Sequence, residues 1–139
     1  MELSHCGMTQ SEDRDPLTYL IIGEAMRVRK ALGCKLLESA YHIFFCHALR
    51  LKNLSIESHA GFPVTFEGVT VKVGFRCDLV VEKQVIVELK AVSEILPVHK
   101  AQLLTYMRLS GIRKGLLINF KAIPFSSGIV RMVLGDPDA

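Results

Sequence analysis

Two short segments, Phe75–Val81 and Val85–Lys90, each combine a strand-like alternation of apolar residues with an acid and a base. Successive side chains of a β-strand point to opposite faces of the sheet. On this rule one face of the first segment carries Arg76, Asp78 and Val80, and the other carries Cys77, Leu79 and Val81. In the second segment the shared face carries Ile86, Glu88 and Lys90. The charged side chains are therefore predicted to lie together on one side of a sheet.

The connection between these segments decides which charges meet. The simplest one is a β-hairpin with a three-residue loop, residues 82–84. Its register places Asp78 opposite Glu88. It also places Arg76 opposite Lys90. Directly opposed Cβ atoms lie about 4.5–5.5 Å apart, and like charges at that distance destabilise the pairing. A divalent cation at the carboxylates and a phosphate at the two bases would remove both penalties. The alternative is a hydrated face with solvated side chains.

A third acid, Glu38, lies near the start of a helix predicted over residues 36–52. At about 100° per residue, Glu38 falls within about 80° of Tyr41 and Phe45, inside the apolar arc of the helix. An acid buried there needs a charged or hydrogen-bonding partner. The alternative is an ordinary first-turn acid that the helix dipole stabilises.

A helix of about twelve residues, predicted after Pro97 and ending near Ser110-Gly111, carries a further candidate pair. Gln102 and Tyr106 are four residues apart, so they lie on the same face of that helix. The alternative is a tyrosine at the edge of the core and a glutamine at the surface.

The remaining pattern predicts the elements that must position these side chains. A first helix begins at Asp15 and Pro16, an N-cap acid and a first-turn proline, and ends at Gly33. Further strands, separated by glycine-containing turns, are predicted over Ile56–His59, Pro63–Phe66, Val69–Val73, Gly115–Phe120 and Ile129–Leu134. This order predicts a single α/β or α+β domain with helices against a mostly antiparallel sheet.

The charge distribution divides the 139-residue chain into three parts. The chain as a whole carries a net charge of +3, but residues 1–16 carry −3 and residues 135–139 carry −2, so residues 17–134 carry +8. We therefore predict a flexible acidic tail over residues 1–16, one folded domain over residues 17–134 and a short tail over residues 135–139. A basic body suits a polyanionic partner, although a solubilising surface has the same charge.

The composition excludes several classes of protein. Half of the residues are hydrophobic and 22% are charged, which excludes a disordered chain. No apolar run reaches the roughly 18 residues that a membrane span needs, and the polar N-terminal segment is not a signal peptide. We therefore expect a cytoplasmic protein without a membrane partner. The four cysteines, Cys6, Cys34, Cys46 and Cys77, form no CxxC pair, which predicts free thiols and no zinc site.

Taken together, these segments resemble the PD-(D/E)XK nuclease superfamily, and within it the small GxxExxY family. The superfamily motif is an acid followed, after a gap, by Glu-x-Lys. Asp78 and the tripeptide Glu88-Leu89-Lys90 match it. The segment Leu36–Tyr41 resembles the GxxExxY stretch, and the segments Leu96–Tyr106 and Gly115–Phe120 are also similar to that family.

This resemblance implies a restriction-endonuclease-like α/β fold and a hydrolase that cleaves phosphodiester bonds with Mg²⁺ or Mn²⁺. The implied metal ligands are Asp78, Glu88, the Leu89 carbonyl and Glu38. The implied catalytic residues are Glu38, Asp78, Glu88 and Lys90. Gln102 and Tyr106 resemble the Q-x-x-x-Y element of related nucleases, which implies a role in positioning substrate, and Arg76 joins them as a predicted phosphate contact.

The sequence departs from the family pattern at three positions. Lys35 stands where the family glycine falls, Arg29 stands where a histidine is common, and Cys77 stands at the place of the motif proline. The acids and the lysine of the motif are intact. The resemblance therefore implies an active enzyme.

Three functions are compatible with these observations. The first is a metal-dependent nuclease, with DNA favoured over RNA and a homodimer left open. The second is a non-catalytic nucleic-acid-binding or accessory module, which would not require three convergent carboxylates. The third is a metal-dependent enzyme for a small phosphate substrate, against which the +8 charge of residues 17–134 argues weakly.

Overall fold

The structure of the protein is a computed structural model that describes residues 15–135. Within this range three helices are formed: α1 (Pro16–Leu32), α2 (Glu38–Leu51) and α3 (Pro97–Ser110). One sheet contains the strands β1 (Ile56–Phe66), β2 (Val69–Val81), β3 (Val85–Lys90), β4 (Lys114–Asn119) and β5 (Ile129–Val133). A 3-10 turn, Phe125–Gly128, precedes β5.

The five strands follow one another in the sheet in the order of the chain. Strands β3 and β4 are parallel, and α3 makes the crossover between them. The other three neighbouring pairs are antiparallel. Parallel neighbours need such a crossover, whereas antiparallel neighbours can be joined by short turns. The α/β fold class, with a mostly antiparallel mixed sheet flanked by helices, is confirmed.

Both faces of the sheet are covered by apolar clusters. One cluster packs α1 and α2 on the first face, and it includes Phe45 and Leu89. The other packs α3 on the second face through Leu103 and Met107, which meet Ile86 of β3. Alternate residues of β3 thus enter different cores, as expected for a strand buried on both faces.

Helix α1 begins at the predicted N-cap. The carboxylate of Asp15 accepts hydrogen bonds from the Thr18 N–H at 3.0 Å and from its hydroxyl at 2.6 Å. The Lys114 ammonium lies 2.9 Å from the same carboxylate and links the helix to β4. Although burial raises the pKa of Asp15, the hydrogen bonds from Thr18 and Lys114 outweigh it and lower this pKa.

Two predicted strand breaks are wrong. Strand β1 continues through Gly61, and β2 continues through Gly74. A Cβ atom at Gly74 would overlap the side chain of Val64, near the register shift that follows Phe62. Gly74 therefore leaves room for the Val64 side chain of the neighbouring strand, and a glycine within a strand need not end it.

The predicted tails over residues 1–16 and 135–139 fall largely outside the described range, because residues 1–14 and 136–139 are not described. They remain predictions. Among residues 15–135, no helix is long and apolar enough to cross a membrane. Cys34, Cys46 and Cys77 are free thiols, as predicted, and Cys6 lies outside the described residues.

Candidate active site

The hairpin between β2 and β3 has the predicted loop, residues 82–84. Val81 pairs with Val85 beside this loop, and the ladder continues to Leu79 and Val87. The predicted register is therefore confirmed for the paired part of the hairpin. Within the described chain the β2–β3 ladder ends at this point.

Beyond the ladder, β2 and β3 are linked by hydrogen bonds from backbone N–H groups to two carboxylates. The N–H of Asp78 donates to Oε2 of Glu88 at 2.7 Å. The N–H of Leu89 donates to Oδ2 of Asp78 at 2.8 Å. Each acid is thus bound to the backbone of the other strand. The two acids lie together where the strands separate.

The strand alternation breaks at Asp78. Alternation predicts Cys77 and Val80 on opposite faces, but both pack in the cluster that α3 covers, so that prediction is wrong. The break lies across from His59, which has a left-handed φ of 54° within β1. Asp78 consequently acts on groups of both faces, and its charge affects the pKa values of Cys77, Tyr106, His42 and Cys46.

Glu88 is buried, with 5% of its surface exposed. Burial, followed by the charge of Asp78, raises the pKa of Glu88 to about 7, and Lys90 opposes this rise. Burial and the same two acids raise the pKa of the Cys77 thiol to about 12, which keeps it neutral. A pair of close carboxylates whose charges repel is stabilised by a bound cation.

Glu38 and Lys90 lie at the ends of elements that converge on this pair. Glu38 is the first residue of α2, two residues after the predicted start, and Lys90 is the last residue of β3. Glu38 is exposed, so of the two interpretations that the sequence left open, the first-turn acid is the one that the structure supports. Partial burial of its carboxyl and then the charge of Asp78 raise the pKa of Glu38, while Lys90 lowers it. The four groups are electrostatically coupled.

Tyr106 links α3 to the acid-bearing strand. Its ring stacks on Phe75 of β2, with centroids 4.5 Å apart. Burial and then the charge of Glu88 raise the pKa of Tyr106. Gln102 is exposed on the preceding turn of the same helix. The structure therefore brings Tyr106 beside the acids and leaves Gln102 at the surface.

Arg76 has a different neighbour from the predicted one. Among residues 15–135 no ladder pairs Arg76 with Lys90, so this prediction is wrong. Arg76 is paired instead with Gly61 of β1, and its guanidinium reaches the His59 carbonyl at 3.5 Å. The physical reason is the separation of β2 from β3 at the acids, after which, within residues 15–135, this part of β2 pairs with β1 alone.

Two buried polar residues near the site were not predicted. Asn119 accepts a hydrogen bond from the Val92 N–H at 3.0 Å and donates to the Val92 carbonyl at 2.9 Å. It thereby holds the segment that follows Lys90. His42 lies on α2 and is 9% exposed. The sequence feature that could have identified Asn119 is its position as a polar residue at the end of an apolar strand.

Tyr41, in the segment that resembles GxxExxY, is a structural residue. Its hydroxyl donates to the Gly33 carbonyl and accepts from the Leu36 N–H at 3.2 Å. Its ring stacks on Phe120 with centroids 4.6 Å apart. Tyr41 therefore holds the turn that precedes Glu38 against the end of β4.

The acid pair has the donors that a small divalent cation prefers. Carboxylate oxygens of Asp78 and Glu88, and the nearby Leu89 carbonyl, suit Mg²⁺ or Mn²⁺. Magnesium commonly uses one or two carboxylates and keeps several waters. Within residues 15–135, no group of three or more His, Cys, Asp and Glu side chains could hold a metal ion. Glu38 therefore does not complete a preformed site of three side-chain ligands. The fit of this site to a divalent cation depends on Asp78 and Glu88.

Comparison with models of known protein families gives a match over residues 15–132 to the PD-(D/E)XK nuclease superfamily. The chain belongs to the PD-(D/E)XK nuclease superfamily. Searches of curated proteins and of solved structures find no match. The matched range contains every residue of the candidate site and extends from α1 into β5.

In this PD-(D/E)XK domain, the motif acids occupy the point at which β2 and β3 separate. Asp78 lies one residue beyond the last β2 residue that pairs with β3, and Glu88 lies two residues before Lys90, the last residue of β3. The superfamily consists of nucleases, so the domain is nuclease-like.

Proposed function

We propose that this protein is a metal-dependent nuclease that hydrolyses phosphodiester bonds of nucleic acid. The observation that carries the proposal is the contact between Asp78 and Glu88, in which each carboxylate is held by a backbone N–H of the opposite strand. That arrangement fixes two acidic side chains of like charge beside each other in a partly buried place. Membership of the nuclease superfamily supports the same conclusion.

Asp78 and Glu88 would hold Mg²⁺ or Mn²⁺, with the Leu89 carbonyl as a third ligand and Glu38 acting through water. When bound, the ion polarises the scissile phosphate and lowers the pKa of the attacking water. The raised pKa of Glu88 supports this assignment, because a cation would relieve the repulsion that burial strengthens.

Lys90 would stabilise the negative charge that develops on the phosphate in the transition state. Its position supports this role, because it ends β3 two residues after Glu88 and its charge acts on Glu38 as well. Arg76, Gln102 and Tyr106 would hold the substrate on either side of the acids.

The substrate is proposed to be nucleic acid, with DNA favoured over RNA, and the subfamily is proposed to be GxxExxY. The support for a nucleic-acid substrate is the net charge of +8 on residues 17–134, and the support for the subfamily is the resemblance of the segment Leu36–Tyr41 to the GxxExxY stretch. A basic body attracts a polyanion, and contacts to its backbone carry little sequence information. Cytoplasmic localisation and homodimer formation remain predictions from the sequence.

The test is hydrolysis of a labelled oligonucleotide in MgCl₂ or MnCl₂, with EDTA as the metal-free control. We expect cleavage by the wild type, at least a hundredfold less by Lys90→Ala, and none measurable in EDTA. Lys72→Ala is the matched control, because Lys72 is an exposed lysine in β2 away from the acids. Metal-dependent activity on a small phosphate ester alone would favour the small-substrate enzyme. Tight oligonucleotide binding without cleavage would favour the non-catalytic module.

A further inference from the structure

A second polar cluster lies on the edge strand, next to the acid pair. It consists of His59 and Ser58 of β1, His42 of α2 and Arg76 of β2. Among the strands of the described residues, β1 lies at the edge of the sheet. The proposed hydrolysis assigns no role to the two histidines.

His59 has an unusual backbone conformation for a strand residue. Its φ of 54° lies in the left-handed region, which residues other than glycine seldom occupy. Such residues are concentrated at functional sites, where the surrounding structure holds them in place. The neighbouring pairs Ser58–Leu79 and Ala60–Cys77 flank this position, so His59 lies across from Asp78.

The imidazole of His59 is held by stacking. Its ring lies parallel to that of His42, with centroids 4.4 Å apart and an interplanar angle of 3°. His42 is buried, and its Nε2 is 2.7 Å from the Ser58 hydroxyl. This arrangement orients His42 as a platform. His59 itself is exposed.

Arg76 brings a permanent positive charge to the same place. Its guanidinium reaches the His59 carbonyl at 3.5 Å, and it remains exposed. An exposed guanidinium and an oriented imidazole are both donors that bind phosphate oxygens. They lie beside Asp78, where a phosphodiester chain at the acids would continue.

We propose that His59, stacked on His42 and accompanied by Arg76, binds the phosphate that adjoins the scissile linkage of a polynucleotide. The inference rests on the proposed nuclease function and deepens it. It assigns to the edge strand a contact that only a substrate with more than one phosphate can make. His59 is a binding residue here, and His42 is a positioning residue that acts through it.

A pair of oligonucleotides separates this role from a structural one. The first has phosphates throughout. In the second, the scissile linkage is a normal phosphodiester and every linkage on both sides of it is an uncharged methylphosphonate. Only the scissile phosphate of this substrate is therefore charged. The variant His59→Gly removes the imidazole and suits the left-handed backbone. The control His47→Ala removes an exposed histidine of α2 outside the cluster.

For His59→Gly we expect the KM of the all-phosphate substrate to rise about tenfold, as for the loss of one hydrogen bond to a charged group. The KM of the methylphosphonate substrate should stay at the wild-type value, and kcat should change little on either. The shift in melting temperature that MnCl₂ produces should be unchanged, because the acids are intact. His47→Ala should resemble the wild type in every measurement.

An equal loss on both substrates, or an unchanged KM on the all-phosphate substrate, would overturn the inference about His59 while leaving the nuclease function intact. Wild-type protein that cleaves neither oligonucleotide in Mg²⁺ or Mn²⁺ would overturn the proposed function, and this inference with it. The same KM ratio in His59→Ala and His59→Gly would further support loss of the imidazole as the cause.

Discussion

The backbone N–H of Asp78 donates to the carboxylate of Glu88 at 2.7 Å, exactly one residue beyond the last backbone pair of their two strands. The strands therefore separate without leaving this N–H unbonded. In return, the Asp78 carboxylate accepts the Leu89 N–H at 2.8 Å. The motif acids thus have a structural role that is independent of any metal, and substitutions must separate that role from the proposed chemistry.

Asp78→Asn should weaken metal binding without unfolding the protein. The amide oxygen of asparagine can still accept the Leu89 N–H, whereas the negative charge is lost. We expect calorimetric titration with MnCl₂ to show at least tenfold weaker binding than in the wild type, with an unchanged circular dichroism spectrum. Glu94→Ala, which removes an exposed acid outside the pair, is the control. Wild-type affinity in Asp78→Asn would contradict the assignment of this residue as a ligand.

Glu88→Gln should change how the stability of the metal-free protein depends on pH. The folded-state pKa of Glu88 is raised from 4.5 to about 7. Its stabilising contribution is therefore present below about pH 4.5 and is lost as the pH rises through 7. At about 1.4 kcal/mol per pKa unit, this loss is on the order of 3 kcal/mol.

Urea denaturation in EDTA tests this point. A range of roughly pH 5 to pH 8 covers most of the pH interval over which the contribution of Glu88 should be lost. The free energy of unfolding of the wild type should fall across the range relative to that of Glu88→Gln. Glu57→Gln, at an exposed position of β1, should follow the wild type. Parallel pH profiles for wild type and Glu88→Gln would show that the charge of Glu88 does not destabilise the folded protein.

Asp15→Ala should destabilise the fold at its first helix. The substitution removes the N-cap hydrogen bonds to Thr18 and the contact with Lys114. The loss of an N-cap typically costs about 0.5–2 kcal/mol. Because the pKa of Asp15 is lowered in the folded state, this stabilisation is present above its ordinary pKa and is lost as the pH falls through the folded value.

Chemical denaturation at neutral pH measures the effect, and Asp15→Asn is the informative companion. Asparagine is also a good N-cap, so it should retain most of the stability that alanine loses. The ion pair with Lys114 is partly exposed and should add no more than about 1 kcal/mol. Equal losses in the alanine and asparagine variants would indicate that the ion pair is the larger contribution.

Binding to a nucleic-acid backbone should weaken steeply as salt increases. Each phosphate that the protein neutralises contributes about −0.9 to the log–log slope on duplex and about −0.7 on single strands. The +8 charge of residues 17–134 is spread over a whole domain, so we expect on the order of three to five phosphate contacts and a slope of roughly −3 to −4. Arg76 and Lys90 should be among these contacts.

Fluorescence anisotropy of a labelled oligonucleotide in EDTA, from low to moderate salt, measures this slope. Arg76→Ala should reduce the magnitude of the slope by the contribution of about one phosphate contact, roughly 0.7–0.9. Lys72→Ala should change the slope less. Deletion of residues 1–14, which carry a net charge of −2, should tighten binding slightly and leave the Asp15 cap in place. A slope near zero would argue against a polyanionic substrate.

Much of this molecule follows from its sequence, because local rules apply where neighbours along the chain decide the structure. The Asp15 cap, the Gly33 stop and the three-residue loop at residues 82–84 are set by adjacent residues and were predicted correctly. The α/β class follows from the order of periodic segments. The nuclease resemblance rests on the spacing of Asp78, Glu88 and Lys90, which the family comparison supports at the level of the superfamily.

Tertiary contacts decided the rest. Strict alternation placed Cys77 on the wrong face and Arg76 opposite Lys90, because it assumed a regular ladder. The ladder instead ends where the carboxylates bind backbone N–H groups across the gap, an arrangement that no residue spacing encodes. The exposure of Glu38 depends in the same way on where α2 begins.

The partners of His59 were likewise invisible in the sequence. Its stack with His42 joins residues 17 positions apart on a strand and a helix, and its φ of 54° is left-handed within a strand. Local propensity describes what a residue prefers by itself. Only the packed fold can hold a residue in a conformation it rarely adopts and place it across the sheet from Asp78, because that energy comes from contacts made far apart along the chain.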